Sequence, residues 1–367
     1  MFLSGQSLSK FCFLWLLAIS GSIGIFFNIT SALACGDDPV PVQSNPNKTA
    51  LVTSGALGTT VNVTAGMIAE RVSTSAATGS YTVDLPKNTC VTVSHLTDTE
   101  ELVAPRAKSR NSIWSAASYD GFRRNDIGGD YHGGVINGVV GYDRLVTRSL
   151  ILGVALGFEN VDIVTGYDAG TLKANSGAIA PYVGIILTDW LVLDASLGYT
   201  KIAYDFMRMS NATKVTGKTD ATRYFGSIDL TAAQHYDRLK VFGQLGYLEL
   251  SETQSNYTES NNTNHQANTI FFGQVHATIG TGYDVDTGIG TVTPSVSVRY
   301  EYDVVQPSAI FLGNGVYSSH KPDGVVFGLG VDVKTHDELS FVLKGTTTQF
   351  RDHTDAFSVA GNVKYRF

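Results

Sequence analysis

The sequence predicts an all-β fold: a transmembrane antiparallel β-barrel of about 12 strands, with a short N-terminal extension. Three observations predict it. From about residue 111 to the C-terminus, apolar and polar residues alternate with period two, the pattern of strands with two unlike faces. The chain has 38 Gly and only 16% charged residues, against roughly 25% charged in a typical soluble protein. Short links between the strand segments alternate with long ones, as in barrels with short turns on one side of a membrane and long loops on the other.

Composition excludes other classes. A chain that is 43% hydrophobic can bury a core, so disorder is not its main state. The net charge is −7 and no Lys/Arg run appears, so no nucleic-acid partner is expected. After the N-terminus no stretch reaches the roughly 18 apolar residues of a spanning helix.

Residues 1–34 read as a signal peptide. Lys10 precedes the apolar run Phe11–Phe27, and Ala32-Leu33-Ala34 supplies a small-x-small site, so cleavage falls between Ala34 and Cys35. A retained membrane anchor is the competing reading. Cys12 leaves with the signal. Cys35 and Cys90 remain and read as one disulfide, closing about 55 residues and stabilising them by about 4 kcal/mol. Lipidation of Cys35 is the alternative for that residue.

Residues 35–110 form the extension. Asp37–Pro41 and Asn45–Asn47 make a polar leader. Thr60–Val63 and Tyr81–Leu85 have strand character, Ala65–Ala77 reads as a short helix, and the stretch from about 94, with charged Asp98–Arg110 and its Pro105, reads as a linker.

Residues 111–367 are the barrel. Strands are expected near 111–121, 132–143, 149–160, 173–187, 190–204, 221–234, 239–251, 268–284, 290–303, 323–334, 338–350 and 356–367. Alternation is clearest in Val292–Asp303, where Val292, Pro294, Val296, Val298, Tyr300 and Tyr302 share one face. Leu191–Tyr199, Phe271–Val285 and Val325–Val333 repeat it. Val161–Leu172, Asp205–Asp220 and Glu252–Ala267 are among the expected long loops; Thr188-Asp189 and His235–Arg238 are among the short turns.

Three features favour lipid against the apolar face. Tyr142, Phe158, Tyr199, Tyr204, Tyr283, Tyr300 and Tyr302 lie at strand ends and suit interfacial girdles. The opposite face mixes Gly, Ser, Thr and charge, and the final alternating strand would be an aggregation hazard if left as an open edge. The charged residues on the polar phase are Asp194, Asp229, Arg299, Glu301, Asp332, Lys344, Lys364 and Arg366, expected to line the lumen.

The search for chemistry returns little. Ala212–Thr219 has Ala at the first Gly position of a phosphate loop and reads as a solvated loop. Asp284–Gly288 reads as a turn, because the twelfth residue of a calcium loop would be Ser295. The His residues lack zinc-like spacing. No catalytic, cofactor or metal site is expected, and the chain reads as a non-enzyme; His276, on the polar phase, is the one residue through which a lipid hydrolase could be imagined.

Ser112-Ile113-Trp114, Val139–Asp143, Leu152–Phe158, Ala180–Gly184, Asp194–Tyr199 and Tyr365-Arg366-Phe367, in that order, resemble the autotransporter β-domain family over nearly all of 111–367. The resemblance implies a twelve-stranded Gram-negative outer-membrane translocator, with the lipid bilayer, the Sec export pathway and the barrel-assembly machinery as partners. It also implies an N-terminal passenger that crosses through the barrel. The alternation of Val363, Tyr365 and terminal Phe367 is similar to the signal that the assembly machinery reads. The passenger is short and Pro105 disfavours an unbroken helix before Trp114. Export or display of residues 35–110 by a monomeric barrel is therefore the leading expectation. A small-solute channel is the first alternative and an outer-membrane lipid hydrolase the second.

Overall fold

β-Branched and aromatic residues at every second position favour extended backbone that can pack on one face. In the computed structural model they build twelve long strands among the described residues, which are 67–68, 110–125, 130–305, 311–313, 316–317, 321–351 and 353–367. The strands are β1 Asn111–Arg124, β2 Tyr131–Leu145, β3 Leu150–Thr165, β4 Gly170–Thr188, β5 Leu191–Ser210 and β6 Thr213–Tyr236. They continue as β7 Leu239–Gln254, β8 Asn268–Tyr283, β9 Gly290–Val305, β10 Asp323–Thr335, β11 Leu339–Gln349 and β12 Thr354–Arg366.

Each strand pairs antiparallel with the next, and β1 pairs with β12 from Ser112↔Arg366 to Arg124↔Thr354. The sheet therefore closes, and the ladder of the final strand is used rather than left open. Backbone bonds from Asn111 N to Phe367 O (3.2 Å) and Phe367 N to Asn111 O (3.0 Å) pin the two ends together.

One face of the closed sheet is apolar and exposed. Leu156, Leu197, Ile279, Val296, Leu329 and Leu343 all point outward, and Leu329 is 68% exposed. Such a surface has no partner in water; hydrocarbon solvates it. Aromatic rims border it. Tyr119, Phe158, Tyr199, Tyr224 and Phe357 stand on the side of the long connections, with Tyr119 against Phe357 and Tyr199 against Tyr224 at ring separations of 5.9 and 5.4 Å. Tyr142, Trp190, Tyr236, Tyr283 and Tyr365 stand on the other side. Phe357 and Tyr365 are about 27 Å apart along β12 at about 3.4 Å per residue. At a tilt of about 40° that is about 20 Å of membrane.

Beyond the upper rim the polarity of the strands inverts. On β3 the exposed series Leu152, Val154, Leu156, Phe158 gives way to Asn160 and Asp162, while Val161 and Ile163 turn inward and are buried. On β4 Lys173 and Asn175 face out over Leu172 and Ala174; on β5 Lys201 and Asp205 face out over Ile202, Tyr204 and Phe206. The same alternation continues, but water has replaced lipid outside, so the apolar residues pack inside. Asp162, Lys173, Asp205 and Lys218 sit in register across four strands, with ion pairs of 3.3 Å (Lys173–Asp162) and 2.7 Å (Lys218–Asp205). Exposed pairs of this kind add little stability; they mark an aqueous face.

This inversion corrects the sequence reading of the long loops. Val161–Leu172 and Asp205–Asp220 are mostly strand, and the β5–β6 turn is only Asn211–Ala212, with φ of 48° and 62°. Positive φ at both central residues is what a two-residue hairpin turn requires. Glu252–Ala267 likewise contains the end of β7 and a small hairpin, Tyr257–Thr258 with Asn264–His265. The Tyr204 assignment is also corrected. It is not a girdle residue: it points into the barrel, buried, and its Oη donates to Glu252 Oε1 at 2.8 Å.

The small hairpin caps the inner face of the β5–β6 extension. Tyr257 packs on Phe206 at 4.6 Å between ring centroids, and Ser260 N donates to Thr216 O at 2.9 Å. Arg208 donates to both carboxylate oxygens of Glu259, at 2.9 and 2.7 Å. Burial alone would raise the Glu259 pKa, but Arg208 and His265 outweigh it and hold the carboxyl below its ordinary range.

Candidate functional site: the lumen wall

The inward face is the other solvent boundary of the same strands. Near the short-turn end Trp114 Nε1 donates to Tyr182 Oη at 2.8 Å, and Tyr182 Oη donates to Asp143 Oδ2 at 2.8 Å. These side chains cross intervening strands above Gly141 and Gly153, where any Cβ would overlap the rings. Higher up, Arg223 on β6 donates to Glu252 Oε2 at 2.9 Å and to Glu159 Oε2 at 3.2 Å. All three are buried, so the guanidinium offsets the desolvation of both carboxylates.

Between these layers Asp194 and Asp229 face each other in register on β5 and β6. Asp229 Oδ1 bonds His276 Nε2 at 2.8 Å and accepts from Gln244 Nε2 at 3.1 Å. His276 reaches Asp229 across β7 because Gly246 lies between them; a Cβ there would strike both groups. Gly246→Val should therefore part the pair and strand a buried carboxyl, lowering stability by about 1–3 kcal/mol. The urea midpoint of the detergent-solubilised barrel reads this, and Gly243→Ala, where the nearest neighbour would be 3.6 Å away, should leave it unchanged.

All eight charged residues expected in the lumen point inward. Asp194, Asp229, Glu301, Lys364 and Arg366 are buried, and Arg299, Asp332 and Lys344 are half-buried. They form no single cluster. Arg299 pairs with Glu301 at 3.3 Å, and Arg366 reaches Glu338 in the β10–β11 turn at 3.3 Å. Val363, Tyr365 and Phe367 face outward. Ala34, Cys35, Cys90 and the linker up to residue 109 lie outside the described residues. Among the described residues no group of His, Cys, Asp and Glu could hold a metal ion.

The sequence reading did not single out Arg223, Glu159, Glu252 or Asp143. Each sits on the inward phase of its strand, so the alternation contained the signal; the partners come from strands far apart in sequence and could not be paired from it.

Two residues of the extension are part of this wall. Met67 and Ile68 are helical and buried, in one apolar cluster with inward-facing Trp114, Ala116, Ala155, Tyr182, Phe225 and Leu248. They belong to the same compact unit as the barrel, Asn45–Phe367.

A closed twelve-strand sheet with lipid outside, a charged lumen within and upstream chain seated in it defines a transmembrane β-barrel of the translocator class. The family model described as autotransporter beta-domain matches residues 113–346, and the chain belongs to that family. It is an autotransporter β-barrel of the outer membrane. In fold it is similar to the translocator domain of the autotransporter NalP from Neisseria meningitidis (12% identity, TM-score 0.62), covering 87% of this chain and 99% of that one. It is also similar to the β-domain of the Bordetella autotransporter BrkA (14% identity, TM-score 0.60), over 70% of this chain and 100% of that one. The transport unit of AIDA-I from Escherichia coli follows (13% identity, TM-score 0.53), with 74% and 93% covered. No curated protein matches the chain in sequence.

Proposed function

We propose that this barrel exports and then holds its own N-terminal extension, residues 35–110. The supporting observation is the seat of Met67 and Ile68 in the lumenal apolar cluster. An apolar pair buried against the wall ties the extension to the barrel that carries it, so the segment is retained rather than shed. A signal peptide ending at Ala34 would deliver the chain through the Sec pathway, a Cys35–Cys90 disulfide would staple the small extension, and Val363, Tyr365 and Phe367 would present the final strand to the assembly machinery.

An epitope tag inserted beside Lys48 tests the reading. On intact cells the tag should bind antibody, and the extension should stay with the membrane fraction. Met67→Asp with Ile68→Asp should loosen that hold and make the segment sensitive to added protease. A tag reached only after the outer membrane is permeabilised would overturn export.

A further inference from the structure

The lumen wall is uneven in a way that carrying the extension does not require. On β1–β8 the inward positions are mostly buried, and so are the acidic groups among them, Asp143, Glu159, Asp194, Asp229 and Glu252. Midway along β9–β12 the inward positions carry small, half-exposed residues: Ser295, Ser297, Gly330, Thr346, Ser358 and Asn362. These make a strip of wall that water reaches.

Lys344 stands in the middle of that strip. On β11 it is in register with Gly330 on β10 and Ala360 on β12, so its neighbours are the smallest side chains available. Its Cε leans over Gly328, 3.8 Å from where a Cβ would sit. Among the described residues it has neither a hydrogen bond nor an ion pair. Of the other charges nearby, Arg299 is ion-paired with Glu301 at 3.3 Å, Arg351 ties Glu301 and Asp303 at 3.5 and 2.9 Å, and Lys334 lies among Asp332, Asp284, Lys240 and Arg366 towards the short-turn end. Midway along the open strip the cation left without a partner among the described residues is Lys344, so the charge that a mobile ion meets there is positive. Within low-dielectric walls an uncompensated charge raises the local concentration of counter-ions, here anions.

We propose that the open side of the lumen, along β9–β12, passes small anions in preference to cations, and that Lys344 sets this preference. The activity is permeation, distinct from carriage of the extension, and stands whether or not the extension reaches the cell surface.

The test is the reversal potential of the purified full chain in planar bilayers under a potassium chloride gradient. Chloride should be favoured over potassium several-fold. Lys344→Gln should bring the permeability ratio close to one, and Lys344→Glu should invert it to favour potassium. Lys214→Gln, on the aqueous hairpin outside the lumen, should leave it unchanged. Folding of each variant is checked by its mobility on unheated gels; should Lys344→Glu fail to fold, Lys344→Gln decides alone. Absence of current from the full chain, a potassium preference, or a ratio indifferent to the loss of Lys344 would overturn the proposal.

Discussion

Replacing Arg223 by Met will destabilise the barrel by about 3–5 kcal/mol, the usual consequence of removing one partner from a buried ion cluster. The guanidinium bonds Glu252 and Glu159 at 2.9 and 3.2 Å, and Glu252 also accepts from Tyr204 at 2.8 Å and Gln254 at 3.4 Å. Without Arg223 two carboxylates remain in a site from which water is excluded, and the desolvation they incur is no longer offset. Urea titration of the refolded barrel, followed by tryptophan fluorescence, measures the loss. The order of variants identifies the cause. Glu159→Gln leaves Arg223 with Glu252 and should have the smaller effect. Adding Glu159→Gln and Glu252→Gln to Arg223→Met should restore most of the stability, because a neutral network carries no stranded charge. If Arg223→Met is as stable as the parent, the cluster is solvated and the lumen on this side is open.

The second large effect lies on the opposite face. Leu329→Arg should cost about 2–4 kcal/mol, the penalty for a cation on the lipid face near mid-membrane. Leu329 is 68% exposed, in the centre of the outward series Val325, Phe327, Leu329, Val331, Val333, and in register with Val296 and Gly345. On a water-facing sheet the same substitution at so exposed a site would stay within about 0.5 kcal/mol. Asn160→Arg supplies the contrast. It lies on an outward position just past the Phe158 rim, where Asp162 and Lys173 already stand in water, and it should be nearly neutral. Unfolding of both variants from lipid vesicles gives the comparison.

Much of this was legible in the sequence, for a physical reason: a barrel strand reports its two solvents at alternate positions. Val292–Asp303 and Val325–Val333 announce their two unlike faces without ambiguity. The errors came where one of the solvents changes. Past Phe158 and Tyr199 the outer solvent becomes water, and the strand rule then places apolar residues inward. Val161, Ile163, Ile202, Tyr204 and Phe206 looked like ends of strands and starts of loops because their phase is opposite to that of the membrane segment. Tyr204 was misassigned for that reason. The lumenal partners were hidden differently. Trp114, Asp143 and Tyr182, or Arg223, Glu159 and Glu252, meet across strands separated by glycine gaps or by tens of residues. Alternation fixes which way a side chain points but not whom it meets.

Accessibility measured along β3 tests the account most directly. Spin labels placed singly from Leu152 to Val164, with the barrel in bilayers, would be probed with oxygen, which partitions into lipid, and with a water-soluble nickel chelate. Oxygen access is expected at positions 152, 154, 156 and 158, with a switch to nickel access at 160 and 162 and protection from both at 161 and 163. Nickel access at 154 and 156, or no switch between 158 and 160, would contradict it.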